Sequence, residues 1–312
     1  MVGFKEAAEF VTFRAFSALF FIMPRRLCLG LARVLGLLFF HLDGRHRRIA
    51  LANLRTAFGR ELSGSKQYAI AREAFVNFSR TLVDLLKLAS WPRERIERLL
   101  IVEGREHLLR AIGRGKGALV VTGHFGNWEM VPIPISAAAP LWAVARFLDN
   151  PFLEKRLLGL RSRLGTRIIY KDRAARQVLQ VLQAGDIVIV LIDQNVLRIQ
   201  AVFVDFFGKL AGTTPALAAF HLRTGAPIVP AFCYPERGGR YRIKIYPALE
   251  TEPEGRNEVD VLKITQTCTK IIESQIRQFP ESWLWFHERW KSRPAGELGR
   301  NQETYESPRS RP

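Results

Sequence analysis

The chain has 312 residues, 48% of them hydrophobic and 24% charged. Its length allows one large domain or two small ones at about 150 residues each, and its composition excludes a disordered chain, a fibrous repeat and a polytopic transporter. Forty-seven Lys and Arg against twenty-nine Asp and Glu leave a net charge of +18, a field that attracts nucleic acid, anionic lipid, phosphorylated substrates or an acidic carrier protein. Cys28, Cys233 and Cys268 lie far apart with no C-x-x-C pair, so neither a zinc site nor a disulfide framework is indicated.

Residues 10–42 are strongly apolar and are interrupted by Arg14, Pro24, Arg25, Arg26 and Arg33. A spanning helix needs about 20 apolar residues, and the stretches 15–23 and 34–42 are each shorter. Gly-Arg-His-Arg-Arg follows at 44–48, and residues 1–60 carry ten Lys/Arg against three Asp/Glu. Such a basic flank marks the cytoplasmic side of a membrane segment. A cleaved signal peptide fits poorly, because Lys5 is followed by Glu6 and Glu9 and no clean cleavage site appears. A buried hairpin of two helices is the bland reading. A membrane-embedded or interfacial helix pair is the preferred one.

From Ser65 to Ala89, Tyr68, Ala71, Phe75, Phe78, Leu82, Leu85 and Leu86 recur at helical spacing, and Pro92 closes the segment. Residues 118–121, 187–192 and 227–232 are short apolar runs that read as buried strands, and 240–245 alternates like a strand with one wet face. Helical stretches at 151–164, 173–183, 215–224 and 259–278 separate or follow them. The fold class is α/β: a central, mostly parallel sheet flanked by helices, with an N-terminal hydrophobic membrane-associated helical segment. The expected domains are residues 1–45 for the membrane segment, 46–293 for the α/β body and 294–312 for a disordered polar tail.

Chemistry concentrates at Thr122-Gly123-His124-Phe125-Gly126-Asn127-Trp128-Glu129, just beyond a predicted buried strand. Open α/β sheets bind ligands at that end. Across a tight turn the Glu129 carboxylate would reach the His124 ring, fix its tautomer and stabilise the imidazolium formed when it takes a proton. The competing reading is a strand-end histidine that merely caps the next helix. Asp193-Gln194 ends a second predicted strand, and two polar strand ends side by side would form one cleft; a helix cap or turn is the alternative for Asp193.

In order and spacing, these blocks resemble the late lipid A biosynthesis acyltransferases (lauroyl/myristoyl transferases), within the wider group of lysophospholipid and glycerolipid acyltransferases. The resemblance runs through Arg48-Ile49-Ala50-Leu51-Ala52-Asn53-Leu54, the 123–129 block, Asp149-Asn150-Pro151, Arg161-Ser162-Arg163-Leu164-Gly165, Asp193-Gln194, Phe206-Phe207-Gly208 with Thr213-Thr214, and the 283–294 block. It implies that His124 is the catalytic base and Glu129 its partner, activating an acceptor hydroxyl against a thioester carried by acyl carrier protein. It maps the family's R-x-x-x-G arginine best to Arg161, with Arg163 competing, to steady an oxyanion or grip a phosphate. Arg161, Arg163, Asp193, Gln194, Asn127 and Arg146 form the expected substrate-binding set. No metal and no cofactor is expected. The implied partners are acyl carrier protein, an anionic glycolipid acceptor and the membrane, and the implied location is the cytoplasmic face of the bacterial inner membrane. Pro215-Ala216 stands where many members carry glycine shortly after the Thr-Thr pair.

The aromatic block 283–290 reads either as a membrane-surface belt or as a C-terminal helix packed on the sheet; packing is preferred, with His287 structural. An acyltransferase on another bacterial glycolipid or a lysophospholipid is the nearest alternative function. A hydrolase using the same pair on water is another, without a Gly-x-Ser-x-Gly elbow. A nucleic-acid-binding protein is the outside class suggested by charge alone, but no helix-turn-helix, zinc-finger or RNP signature is present.

Overall fold

The computed structural model describes residues 17–18, 20–88, 90–170, 174–255 and 257–295. Lys5, Glu6, Glu9 and Arg14, the beginning of the apolar N-terminal segment, Arg173 and the tail beyond 295 lie outside the described residues.

Pro24 opens helix α1 (Arg25–Leu42), which ends at Asp43 and turns into α2 (Gly44–Phe58). The Asp43 carboxylate caps α2, accepting the His46 N–H at 3.0 Å. The two helices meet at 89°; among the described residues no single helix is long and apolar enough to cross a bilayer, although this bent pair meets the length and composition together. One face of α1, with Cys28, Ala32, Gly36 and Phe40, is buried on α3 (Gly64–Leu88). A Cβ on Gly36 would lie 2.6 Å from Val76 Cα, so glycine lets the backbones nearly touch. The other face leaves Leu27, Val34, Leu38 and Leu42 exposed. The helix is therefore buried on one face and exposes an apolar surface on the other.

Arg25 fixes this arrangement. Its guanidinium grips Asp84 of α3 through Nε at 2.8 Å and Nη2 at 2.7 Å, and donates to Gly239 O at 2.7 Å. The Tyr241 hydroxyl donates to the same carboxylate. Asp84 has no exposed surface, so this pair ties the N-terminal helix, α3 and the sheet together out of water.

The sheet has seven strands in the order β1-β9-β8-β2-β5-β3-β4. These are β1 (Leu100–Glu103), β2 (Ala118–Thr122), β3 (Leu141–Ala145), β4 (Thr166–Tyr170), β5 (Ile187–Leu191), β8 (Ile228–Pro235) and β9 (Tyr241–Ile245). All neighbours are parallel except β8 and β9. Alternation along β2 sends Leu119 and Val121 into one core and Ala118 and Val120 into the other, as a sheet covered on both faces requires. The first core gathers α2, α3, α8 (Ala174–Gln183), α9 (Ala216–Thr224) and α10 (Glu258–Gln278); the second gathers α4 (Arg93–Glu97), α5 (Arg105–Ile112), α6 (Pro132–Ile135) and α7 (Pro151–Arg163). A two-stranded hairpin, β6 (Val202–Phe206) with β7 (Lys209–Thr213), stands beside the sheet.

Residues 283–294 are not a helix. Phe125 and Trp283 pair as an isolated antiparallel bridge, and the block continues as turns. Trp283, Trp285 and Trp290 are buried, so the packing reading stands for the tryptophans while the helix does not.

Candidate active site

In β2 and β5, Thr122 faces Leu191 across the parallel ladder. His124 and Asp193 each lie two residues further, so register alone brings them to the same height at the carboxyl end of the sheet. Gly123 allows the approach, since a Cβ there would lie 3.0 Å from the Asp193 carboxylate. Asp193 Oδ1 meets His124 Nδ1 at 2.9 Å, and Oδ2 accepts the His124 backbone N–H at 2.7 Å and the Trp283 indole N–H at 2.8 Å. Gly126 (φ 57°) runs so close to β8 that a Cβ would collide with Cys233 O. Its N–H donates to Ser282 O at 2.7 Å, while Leu284 N–H donates to His124 O at 3.2 Å. The histidine loop is thus laced to the C-terminal block.

Burial alone would raise the Asp193 pKa, but the charge and ring hydrogen bond of His124, the Trp283 indole and the His124 N–H outweigh it and bring it down to about 2. An ionised Asp193 holds the proton of His124 on Nδ1 and leaves Nε2 as the acceptor, 3.4 Å from the Gln194 amide nitrogen. The imidazole side chain is 22% exposed against 1% for Asp193. The ring is oriented from inside and reachable from outside, which is what removing a proton from an incoming hydroxyl requires.

Glu129 does not orient His124. It lies in a tight 3-10 turn (Trp128–Met130), where Trp128 takes the position against the imidazole, ring centroids 5.2 Å apart, and Glu129 turns away. Its carboxylate binds Arg161 of α7 through Nη2 at 2.6 Å and Nε at 3.2 Å. Burial opposes the Arg161 charge, yet Glu129 holds its pKa above the ordinary value. The expected His–Glu pair is thereby corrected: the structure forms two pairs, His124 with Asp193 and Arg161 with Glu129. Arg163 lies on the exposed last turn of α7. Asn127 is 2% exposed, beneath the loop. Arg146, in the loop after β3, is exposed and lies 3.4 Å from the Asp149 carboxylate.

The C-terminal block carries residues that sequence reasoning did not assign to the site. His287 Nε2 accepts the Asn195 N–H at 2.9 Å, and Asn195 and Ser292 exchange two further bonds at 3.1 and 3.0 Å. Asn53 of α2 holds this block, donating to Trp285 O at 2.6 Å and His287 O at 2.7 Å. Arg289 is fully buried and donates to Gly212 O at 2.6 Å; burial, partly offset by the charge of Asp193, pushes its pKa down to about 10, so it stays cationic at neutral pH. Alternating aromatic and basic residues were the available signal.

A partly exposed histidine held by a buried carboxylate at the carboxyl end of an α/β sheet, with the glutamate of a bidentate Arg–Glu pair on the same loop, is an arrangement that can take a proton from a hydroxyl. The sequence profile of the bacterial lipid A biosynthesis acyltransferases matches residues 7–292, and the chain belongs to that family. It is an acyltransferase with a lipid acceptor, acting in lipid A biosynthesis as a class. It is 28% identical to the lipid A biosynthesis palmitoleoyltransferase of Escherichia coli over 81% of each chain. It is also 27% identical to the lauroyltransferase of the same organism over 84% of each. Against a phosphatidylinositol mannoside acyltransferase of Mycolicibacterium smegmatis it is 26% identical over 71% of this chain and 72% of the relative.

Proposed function

We propose that the protein moves a fatty acyl group from an acyl-carrier-protein thioester to a hydroxyl of a lipid A precursor, with His124 as general base. The acceptor hydroxyl gives its proton to Nε2 as its oxygen attacks the thioester carbonyl. Asp193 stabilises the imidazolium through Nδ1–H. Collapse of the tetrahedral intermediate expels the carrier thiolate, which takes the proton from the imidazolium. Arg161, held by Glu129, supplies positive charge for a phosphate of the acceptor or for the developing oxyanion. The carrying observation is the His124 Nδ1–Asp193 Oδ1 contact of 2.9 Å at a ring open to solvent on its other edge.

Under this reading residues 1–45 attach the enzyme to the cytoplasmic face of the inner membrane, which the exposed apolar face of α1 and the basic cluster at 44–48 support. Residues 46–293 form the acyltransferase body and 294–312 a polar tail. A glycolipid acceptor other than a lipid A precursor is the second reading, favoured by the mycobacterial relative. Lipid mass spectrometry on cells with and without the protein decides: a gain of one acyl chain on the lipid A precursor supports the first reading, and a gain on another lipid class alone overturns it.

A further inference from the structure

β2, β5 and β3 are consecutive parallel neighbours in the sheet. The loops beyond their carboxyl ends therefore stand side by side: the His124 loop, the loop from Asp193 to Ala201, and the loop from Arg146 to Asn150. The loops after β5 and β3 expose Phe147 at 51%, Leu148 at 43%, Leu197 at 63% and Ile199 at 88%. One exposed leucine needs no account. Four large apolar side chains on two adjacent loops at the mouth of a site do.

Neither loop hangs free. Phe147 stacks on Tyr170, and Leu148 N–H donates to Glu154 Oε2 at 2.9 Å. Asn195 is bracketed by Ser292, whose hydroxyl also donates to Val196 O at 2.7 Å. The bases are strapped down and the apolar tips point outward as a preformed surface. The same rim is basic: Arg146 and Arg198 interrupt the tips, Lys155 and Arg163 lie exposed on α7, and Asp149 lies beside Arg146. Helix α7 joins the rim to the N-terminal apolar surface, for the Arg156 guanidinium lies 5.7 Å over the ring of Phe21, next to the 88%-exposed Ile22.

We infer that this rim is a second membrane-contact surface, separate from α1. Phe147, Leu148, Leu197 and Ile199 enter the headgroup–acyl boundary of an anionic bilayer while the arginines meet its phosphates, which sets His124 at the depth of a lipid hydroxyl. The inference rests on the reading that the acceptor is a lipid of that bilayer. The tips argue for lipid over an acidic carrier protein, because four exposed apolar side chains set between the arginines gain from an acyl boundary and nothing from an acidic protein face.

The test uses the full chain with single cysteines at Ile199→Cys, Phe147→Cys, Leu42→Cys or Leu109→Cys, each carrying a polarity-sensitive fluorophore; the three native cysteines are buried. Vesicles of phosphatidylcholine and phosphatidylglycerol are added with and without spin-labelled lipid. Labels at 199 and 147 shift to the blue and are quenched about twofold or more by the spin-labelled lipid, whereas the label at 109 on α5 is not. The double variant Leu197→Gln/Ile199→Gln binds these vesicles roughly tenfold more weakly. Quenching at position 42 without quenching at 199 overturns the inference, leaving α1 as the sole contact. Shielding of position 199 by acyl carrier protein but not by vesicles also overturns it and makes the rim a protein-docking surface. None of these readouts uses acyl transfer, so a failure of the proposed activity is seen separately in the lipid analysis.

Discussion

Replacing Asp193 by Asn keeps the size of the side chain and removes its charge. In the wild type three donors converge on this carboxylate, at 2.7, 2.8 and 2.9 Å. An amide in its place presents an NH2 to at least one of them, so the ring of His124 loses either its anchor or its tautomer. The imidazolium formed during transfer then has no counter-charge. Loss of the orienting carboxylate from a base of this kind costs about 10²–10⁴ in kcat. Stability responds as well. A carboxylate held at about 2 against an ordinary 3.8 contributes about 2 kcal/mol above pH 4, lost as pH falls through 2. Asp193→Asn therefore melts lower at pH 7 by about that amount, and the difference from wild type shrinks in acid. The assay is acyl transfer from purified acyl carrier protein to a detergent-solubilised lipid A precursor, with thermal melts at pH 7 and pH 3. A folded Asp193→Asn enzyme that retains a tenth or more of wild-type kcat refutes the assignment of Asp193 as the orienting group.

Glu129→Gln frees Arg161 without touching His124, so kcat falls by roughly 10²-fold or more through loss of a positioned cation while the pH dependence of transfer keeps its shape; a shifted pH midpoint in this variant, with none in Asp193→Asn, would restore the pairing of Glu129 with His124. Asp84→Asn leaves the Arg25 guanidinium, 9% exposed, without its counter-charge, and the protein loses about 3–5 kcal/mol in urea unfolding; a loss below about 1 kcal/mol makes the latch between α1 and the sheet dispensable. His287 is held below the ordinary histidine value, first by burial, and its neutral Nε2 accepts the Asn195 N–H. Its contribution is complete above pH 6.5 and drains as pH falls below it, so the protection factor of the Asn195 amide, its exchange rate taken relative to an unstructured amide at the same pH, falls on acidification, and His287→Gln removes that acid sensitivity.

Much of the fold is legible from runs of apolar residues. β2, β5 and β8 lie at the centre of the sheet and are buried on both faces, so their sequences are short runs dominated by apolar residues. β3 and β4 escape that reading: only Leu141 of β3 is fully buried, and Arg167 of the edge strand β4 faces water. At the site, His124 and Asp193 each announce themselves as polar residues ending an apolar strand. Their partnership does not, because it is made across the ladder between residues 69 apart in the chain. Proximity in sequence favoured Glu129, and one residue of helical turn put Trp128 there instead. The Asn195–His287–Ser292 strap is invisible for the same reason: irregular backbone carries no period to read.

In the proposed reaction His124 takes the proton of a lipid hydroxyl. The most direct test is lipid mass spectrometry on cells expressing wild type or His124→Ala at equal, membrane-associated levels, with circular dichroism of both proteins. If His124 is the base, the precursor gains one acyl chain with wild type and none with the folded variant. The same added chain in cells carrying folded His124→Ala would contradict it.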